Sequence, residues 1–144
     1  MKIVTDYRGE VEYSEEDIIH FEDGVYGFDG KTDFLLIGNI EEDLPFHWLQ
    51  SIEDMNLNFL ITDPFLFVDN YDFELDDLTV EKLEINSAED IAIYSTVVIP
   101  ENTEDVTINL KSPIVINIKN RLAKQVILDS DYSFKHNIFK KGEN

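Results

Sequence analysis

Histidine, serine and carboxylate side chains are the residues of this sequence that could support catalysis or bind a metal. The three histidines, His20, His47 and His136, stand far apart, and none forms the i, i+4 pair with which a helix holds zinc. His20 and His47 lie among apolar neighbours, which predicts half-buried strand positions. No serine lies in a Gly-x-Ser-x-Gly elbow. We therefore expect no enzymatic activity, although two carboxyls about 5–9 Å apart in a deep pocket would indicate a carboxylate enzyme.

The densest run of carboxylates extends from Asp72 to Asp77. Aligned on a calcium-binding EF-hand loop, it has Asp77 where the turn glycine belongs and Leu83 where the bidentate glutamate belongs. Glycines at positions 24, 27 and 30 are evenly spaced, but no strand-to-helix transition or Gly-Lys-Ser/Thr follows them, so they are not a phosphate loop. We therefore expect the acidic run to be a solvated loop that leads into a helix and the glycines to form simple turns. We expect neither a bound metal nor a cofactor.

Charge excludes several classes of ligand. The 144 residues carry a net charge of −20, with 28 acidic and 4 basic residues in 1–110 and 3 acidic and 7 basic residues in 111–144. Such an acidic body disfavours direct binding to nucleic acid or to an anionic membrane. The chain has no cysteine, no apolar run of about 18 residues and no apolar leader after Met1, which together favour a cytoplasmic location.

Short runs of β-branched and aromatic residues indicate the elements that position these side chains. Alternating or apolar stretches predict strands at 3–7, 10–13, 34–37, 46–49, 57–62, 91–99, 106–110, 114–118 and 126–128. The strand at 91–99 is expected to be covered on both faces, and Arg8-Gly9 is expected to turn a hairpin. The pattern predicts a mostly-β single domain over residues 1–139, a barrel-like or sandwich fold of short antiparallel strands. A flexible basic tail is expected at 140–144.

One or two short helices complete the predicted fold. Asp76 begins a segment that reads as a two-turn helix, with Leu75, Leu78 and Leu83 facing inward. Ser14 and Ser87 are each expected to cap a single helical turn, because acidic residues follow both.

Two segments stand out as candidate contact surfaces. Residues 117–125 read as a loop between apolar strands, with polar and basic side chains that could face a partner or merely keep a sheet edge soluble. The candidate partner-binding residues are Asn117, Lys119, Asn120, Arg121 and Gln125. The aromatic stretch 64–73 is expected to contribute mainly to the core, with an apolar docking patch as the alternative.

A set of short segments occurs in a fixed order along most of the chain: 21–28 (FEDGVYGF), 49–54 (LQSIED), 59–65 (FLITDPF), 97–100 (VVIP), 107–117 (TINLKSPIVIN) and 124–128 (KQVIL), followed by Tyr132. In these segments the chain, over residues 2–139, resembles the FliW family of flagellar assembly factors. Ser112 and Ala123 depart from the family pattern, which often has Ala and Gly there, and a glycine at 123 would fit a turn that needs positive φ.

The resemblance implies a non-enzymatic regulator with a barrel-like fold. Such proteins bind the RNA-binding translational repressor CsrA and relieve its repression of flagellin mRNA, and they bind flagellin in a mutually exclusive way. The alternatives are a flagellin-dedicated chaperone with no role at the repressor and an acidic mimic of nucleic acid. The charge adds a hypothesis of its own, since a strongly acidic protein would attract a basic RNA-binding partner and repel that partner's RNA.

Overall fold

The described part of the chain consists of eleven short strands, one short helix and four single 3-10 turns. The computed structural model describes residues 1–5, 9–25, 28, 30–38 and 45–139. Helix α1 spans Asp77–Lys82, and the 3-10 turns cover Glu15–Asp17, Pro64–Leu66, Ala88–Asp90 and Thr103–Asp105. The strands are β1 (Lys2–Thr5), β2 (Gly9–Glu12), β3 (Ile19–Phe21), β4 (Asp33–Gly38), β5 (Phe46–Ser51), β6 (Asn58–Thr62), β7 (Ile91–Val98), β8 (Thr107–Ile108), β9 (Ile114–Asn117), β10 (Leu122–Gln125) and β11 (His136–Asn137).

Seven strands close into a barrel. Strands β3 to β7 pair antiparallel in chain order, β7 then pairs with β9, and β9 pairs with β10. The last pair, β10 with β3, is parallel, at Leu122↔His20 and Ala123↔Phe21. Closure gives each barrel strand a neighbour on both edges over at least part of its length. The predicted mostly-β, barrel-like fold is confirmed, and the parallel pair is an addition to the antiparallel strands expected from the sequence.

The barrel interior is one apolar cluster. Phe21 and Phe34 meet edge to face, with ring centroids 5.4 Å apart, and neither is exposed. Ala123 is 3% exposed in β10, where its small side chain faces this cluster. The residue at 123 is therefore not the turn residue that the family's glycine suggested, because the positive φ of 64° belongs to Arg121. The other members are Ile19, Val25, Leu49, Leu57, Ile61, Ile114 and Ile116.

A second apolar cluster lies where β7 continues to pair with β8. β8 also pairs with β11, which extends the sheet from β7. The aromatic stretch 64–73 contributes Tyr71, Phe67, Val68 and Phe73 to this cluster, as predicted for a core segment. Its residues Phe65 and Leu66 are 48% and 61% exposed, so the segment is core on one side only. The other members are Val97, Val106, Ile108, Leu110, Leu128 and Ile138, with Phe46, Leu60, Ile93, Val126 and Tyr132 packed around them.

The N-terminal strands form the predicted hairpin. β1 pairs antiparallel with β2, from Lys2↔Glu12 to Thr5↔Gly9. Arg8, the expected turn residue, lies outside the described residues, as does the tail expected at 140–144. Gly9 has a φ of 70°, which glycine adopts without steric cost.

Several expectations about the strands are wrong, among them the strand at 106–110, which is limited to Thr107–Ile108. The strand expected at 126–128 is not formed, and β10 instead begins four residues earlier. Val126 and Leu128 still donate their N–H groups to the carbonyls of Pro113 and Lys111, at 3.0 and 2.9 Å, but Pro113 has no N–H with which to complete a regular ladder. Ile118 is 51% exposed because β9 ends at Asn117. Strand β7 is half-buried over Ile91–Tyr94 rather than covered on both faces.

Helix α1 is confirmed, but its buried face differs from the prediction. Asp76 caps the helix, and its Oδ1 accepts from the Thr79 N–H at 2.7 Å. Thr79 and Leu83, four residues apart, are buried, whereas Leu78 is 57% exposed. Adjacent helix positions point about 100° apart, so burying Thr79 and Leu83 turns Leu78 outward. Residues 14 and 87 occupy the predicted N-cap positions. Ser14 donates its own N–H to Asp17 Oδ2 at 2.9 Å, and Ser87 Oγ accepts from the Glu89 N–H at 3.3 Å.

Candidate protein-binding site

The candidate loop is a tight turn rather than a nine-residue loop. The Arg121 N–H donates to the Asn117 carbonyl at 2.8 Å, and the Leu122 N–H donates to Asn120 Oδ1 at 3.0 Å. Arg121 takes the left-handed φ of 64° that closes the turn. Only residues 118–121 connect the two strands, because residues 122–125 already belong to β10.

Asn117 joins this turn to the end of helix α1. Its side chain is 2% exposed, and Nδ2 donates to the carbonyls of Leu83 and Glu84 at 2.8 and 3.2 Å. Its Oδ1 accepts from the Lys119 N–H at 3.0 Å, while Asn120 Nδ2 also donates to Leu83, at 3.1 Å. The last carbonyls of a helix lack partners within the helix, and these amides supply them. The turn and the helix end are therefore fixed to each other.

Lysines around the turn are paired with carboxylates. Lys119 Nζ lies 3.3 Å from Asp90 Oδ1, although the lysine side chain is 73% exposed. Lys82 and Lys124 both approach Asp23 Oδ2, at 3.4 and 3.8 Å. These surface pairs contribute little to stability, because water and salt screen them. Because these carboxylates offset the lysine charges, the surface around the turn is only weakly cationic.

Arg121 lies on the other side of the turn. It lines a shallow depression together with Glu12, Tyr13 and Asp17 from the N-terminal region. Its carbonyl accepts from the His20 N–H at 2.8 Å, and His20 Nδ1 lies 2.7 Å from Asp33 Oδ1. Within the described residues Arg121 enters none of the close ion pairs, although it is partly buried and, after the Ser14 hydrogen bonds, its charge helps to lower the pKa of Asp17.

The five predicted contact residues therefore separate into two groups. Lys119, Asn120 and Arg121 share the turn and reach the surface. Asn117 and Gln125 are 2% and 8% exposed, and Gln125 Nε2 donates to the Ser112 carbonyl at 3.2 Å. Both buried amides bond to backbone carbonyls. Asn117 also accepts from the Lys119 N–H and so supports the turn, whereas Gln125 lies at the other end of β10.

Sequence reasoning missed the groups that hold the turn in place. Glu84 lies two residues after the end of α1 and has a φ of 53°. Its carbonyl accepts from Asn117 Nδ2. Asp90, 8% exposed, reaches Lys119 from the neighbouring 3-10 turn. Neither residue carries a local motif. The pairing of Ile91 with Asn117 brings Asp90 to the turn, and the Asn117 side chain joins Glu84 to it.

Several surface carboxylates are held in their charged form by hydrogen bonds. Backbone N–H groups of Asp33 and Thr32 lower the pKa of Glu53 below its usual value. The hydroxyl and N–H of Thr79 lower the pKa of Asp76. Glu53 and Asp76 therefore stay ionised to a lower pH than an unperturbed Glu or Asp.

Within the residues described, no three His, Asp or Glu side chains are arranged to hold a metal ion. No helix in that part of the chain is long and apolar enough to cross a membrane.

Fold and site together define a small, acidic β-barrel protein that presents a rigid hairpin turn. Comparison with known proteins identifies its family: the model for "FliW protein" matches residues 2–138, and the chain belongs to the FliW family. A flagellar assembly factor FliW from Alkaliphilus metalliredigens is 46% identical over 98% of this chain and 88% of its own length. Another, from Thermoanaerobacter pseudethanolicus, is 43% identical over 100% of this chain and 97% of its own length. The crystal structure of a flagellar assembly factor FliW matches with a TM-score of 0.91 and 40% identity, over 99% of both chains.

Proposed function

We propose that this chain is a cytoplasmic flagellar assembly factor that regulates flagellin synthesis without catalysing a reaction. In this proposal it binds the translational repressor CsrA, relieves repression of flagellin mRNA, and binds flagellin in a mutually exclusive way. The observation that carries the proposal is family membership over nearly the whole chain, with relatives named as flagellar assembly factors. The two partners are those that the resemblance of the sequence motifs implies.

The acidic surface supports a repressor as one partner. An RNA-binding protein presents positive charge, and the net charge of −24 over residues 1–110 would attract it. Asp and Glu carboxyls have ordinary pKa values of about 4, so they are ionised and this field is present at neutral pH. Once docked, the same field would repel the phosphate backbone of the repressor's RNA. Antagonism would then be partly electrostatic.

The turn is the proposed specific contact. Lys119, Asn120 and Arg121 project from a turn that is bonded to α1 and to β3. A turn of fixed geometry loses little conformational entropy on binding. Asn117 takes the role of a positioning residue beneath it, since it is buried and bonded to the Leu83 carbonyl and the Lys119 N–H. Gln125 lies at the other end of β10, where it is bonded to the Ser112 carbonyl.

Two substitutions at Arg121 test the contact. Arg121→Gly removes the side chain and suits the left-handed φ of 64°, so we expect a melting temperature equal to or above that of the wild type. Arg121→Glu also reverses the charge. Both variants should weaken binding of purified CsrA or flagellin at least tenfold by isothermal titration calorimetry. The matched control is Lys135→Glu, an exposed cation outside the turn. Wild-type affinity of both Arg121 variants for both partners would place the interface elsewhere.

Competition experiments test the function itself. Purified CsrA should bind the chain, and added flagellin should displace it. Binding of flagellin alone would instead favour a flagellin-dedicated chaperone, and binding of neither partner would refute the proposal.

The electrostatic part has a separate test, in which target RNA is titrated against the complex from low to high salt. At matched occupancy, antagonism should weaken as salt rises. Antagonism that does not change with salt would leave a purely steric mechanism.

A further inference from the structure

A groove opens where strands β6 and β7 separate. The two strands pair only at Ile61↔Thr96 and Thr62↔Ser95. Beyond these pairs β6 continues through residues 58–60 and β7 through residues 97–98, and no ladder pair joins those described segments. β7 instead pairs with β8 on its other edge, at Val97↔Ile108 and Val98↔Thr107. The separation leaves a groove of about 490 Å³ between two strand edges.

The groove is apolar on an otherwise strongly charged molecule. Among the described residues that line it none is charged, although 29% of the chain is Asp, Glu, Lys or Arg. Val98, Ile127 and Phe134 line it while 59%, 56% and 58% exposed. Phe59 and Leu60 also line it, and Gln125 and Ser112 lie at the groove as the bonded pair already described. Exposed apolar side chains gathered in one groove mark an interaction surface.

An acidic depression adjoins this groove. Ile127 lines both, and the second depression, of about 270 Å³, is lined by four carboxylates together with Phe73 and Leu128. The carboxylates are Asp72, Glu74, Asp76 and Asp129. A ligand that follows the groove past Ile127 therefore passes from a neutral, apolar surface to a negative one.

We infer that this continuous surface binds an extended segment of a partner protein, with bulky apolar residues followed by Lys or Arg. The neighbouring strand edges offer backbone pairing, as in strand addition, and the apolar groove takes the side chains on one face of the added strand. The acidic depression fits the basic end by charge. A second copy of this chain does not fit, because it would bring another net charge of −20 to the same surface. This surface is separate from the turn at 118–121, so the inference goes beyond the proposed function.

A random twelve-residue peptide library tests the chemistry of the occupant. The library is displayed on phage, selected on the wild-type protein and counter-selected on a Val98→Asp, Phe134→Asp double variant. The enriched peptides should carry alternating bulky apolar residues followed by at least two Lys or Arg. Failure to enrich any sequence, or enrichment of sequences without this pattern, would overturn the inference.

Single substitutions then test the location with one enriched peptide, measured by fluorescence polarisation. Val98→Asp and Phe134→Asp should each weaken binding at least tenfold, and Val4→Asp, on an equally exposed strand valine, should change it less than twofold. Glu74→Gln combined with Asp129→Asn should weaken binding at low salt, with a smaller effect at about 0.5 M salt. Equal binding to the groove variants and the wild type would overturn the inference, as would dimerisation that depends on Val98. The outcome of the peptide experiment does not depend on whether the chain binds CsrA or flagellin.

Discussion

Asn117→Ala offers the sharpest test of how the turn is held. The substitution removes three hydrogen bonds, from Nδ2 to the Leu83 and Glu84 carbonyls and from the Lys119 N–H to Oδ1. Each contributes about 1 kcal/mol net. Leu83 keeps its bond from Asn120, and Glu84 is an exposed residue that water can reach, so we expect a total loss of about 2 kcal/mol. For a chain of this size that lowers the melting temperature by roughly 4–8 °C.

The assay is thermal and urea unfolding of purified protein at pH 7. The matched control is Asn56→Ala, because the Asn56 side chain is exposed and enters no described hydrogen bond. That control should change stability by less than about 0.5 kcal/mol. An Asn117→Ala variant that melts within a degree of the wild type would refute the assigned role of this side chain.

Asn117→Asp adds a dependence on pH with a defined sign. The introduced carboxyl would face the Leu83 and Glu84 carbonyls, which disfavour its charged form, so its pKa should be higher in the folded state than in the unfolded state. The variant should therefore lose stability as pH rises above about 4, and its deficit should be larger at pH 7 than at pH 4. Equal deficits at the two pH values would show that these carbonyls do not meet the side chain.

Two further predictions concern other polar groups. Because backbone bonds from Thr32 and Asp33 lower the pKa of Glu53, its contribution to stability is complete above about pH 4.3 and is lost as pH falls through the folded-state pKa. Glu53→Gln should flatten acid unfolding in that range, and a curve parallel to the wild type would contradict the assignment. The Tyr71 hydroxyl donates to the Leu110 carbonyl at 2.6 Å, so Tyr71→Phe should cost about 1–3 kcal/mol in urea unfolding. Burial raises the Tyr71 pKa, so wild-type stability should fall as pH rises above about 10, and the variant should fall less steeply.

The sequence predicted secondary-structure elements correctly where interactions between neighbouring residues determine them. The Ser14 and Ser87 caps depend on groups within three residues, and both helical turns are present. The β1–β2 hairpin and the apolar strands β4 to β7 likewise follow from alternation and β-branching. Predicted strand boundaries were wrong where pairing with a strand distant in sequence determines them. Residues 122–125 were expected in a loop, but they form β10 because they pair with β3 and β9.

The candidate site was predicted in part. The sequence located Lys119, Asn120 and Arg121 correctly on a turn between strands. It could not show that Asn117 and Gln125 are buried while the other three reach the surface. The same polar residue type can bond to water or to a buried carbonyl, and the sequence pattern does not differ between the two cases. The positive φ at Arg121 could not be predicted from the sequence either, since arginine has no preference for that conformation.

By itself, then, the sequence determined the chemistry of this protein: its acidic charge, its lack of cysteine, its short apolar strands and its family. These follow from composition and local pattern, which do not depend on how the chain closes. Only the tertiary structure decided which polar side chains are buried, how β10 closes the barrel against β3, and where β6 and β7 separate. Each of these depends on contacts between residues far apart in the chain, and no local pattern encodes such contacts.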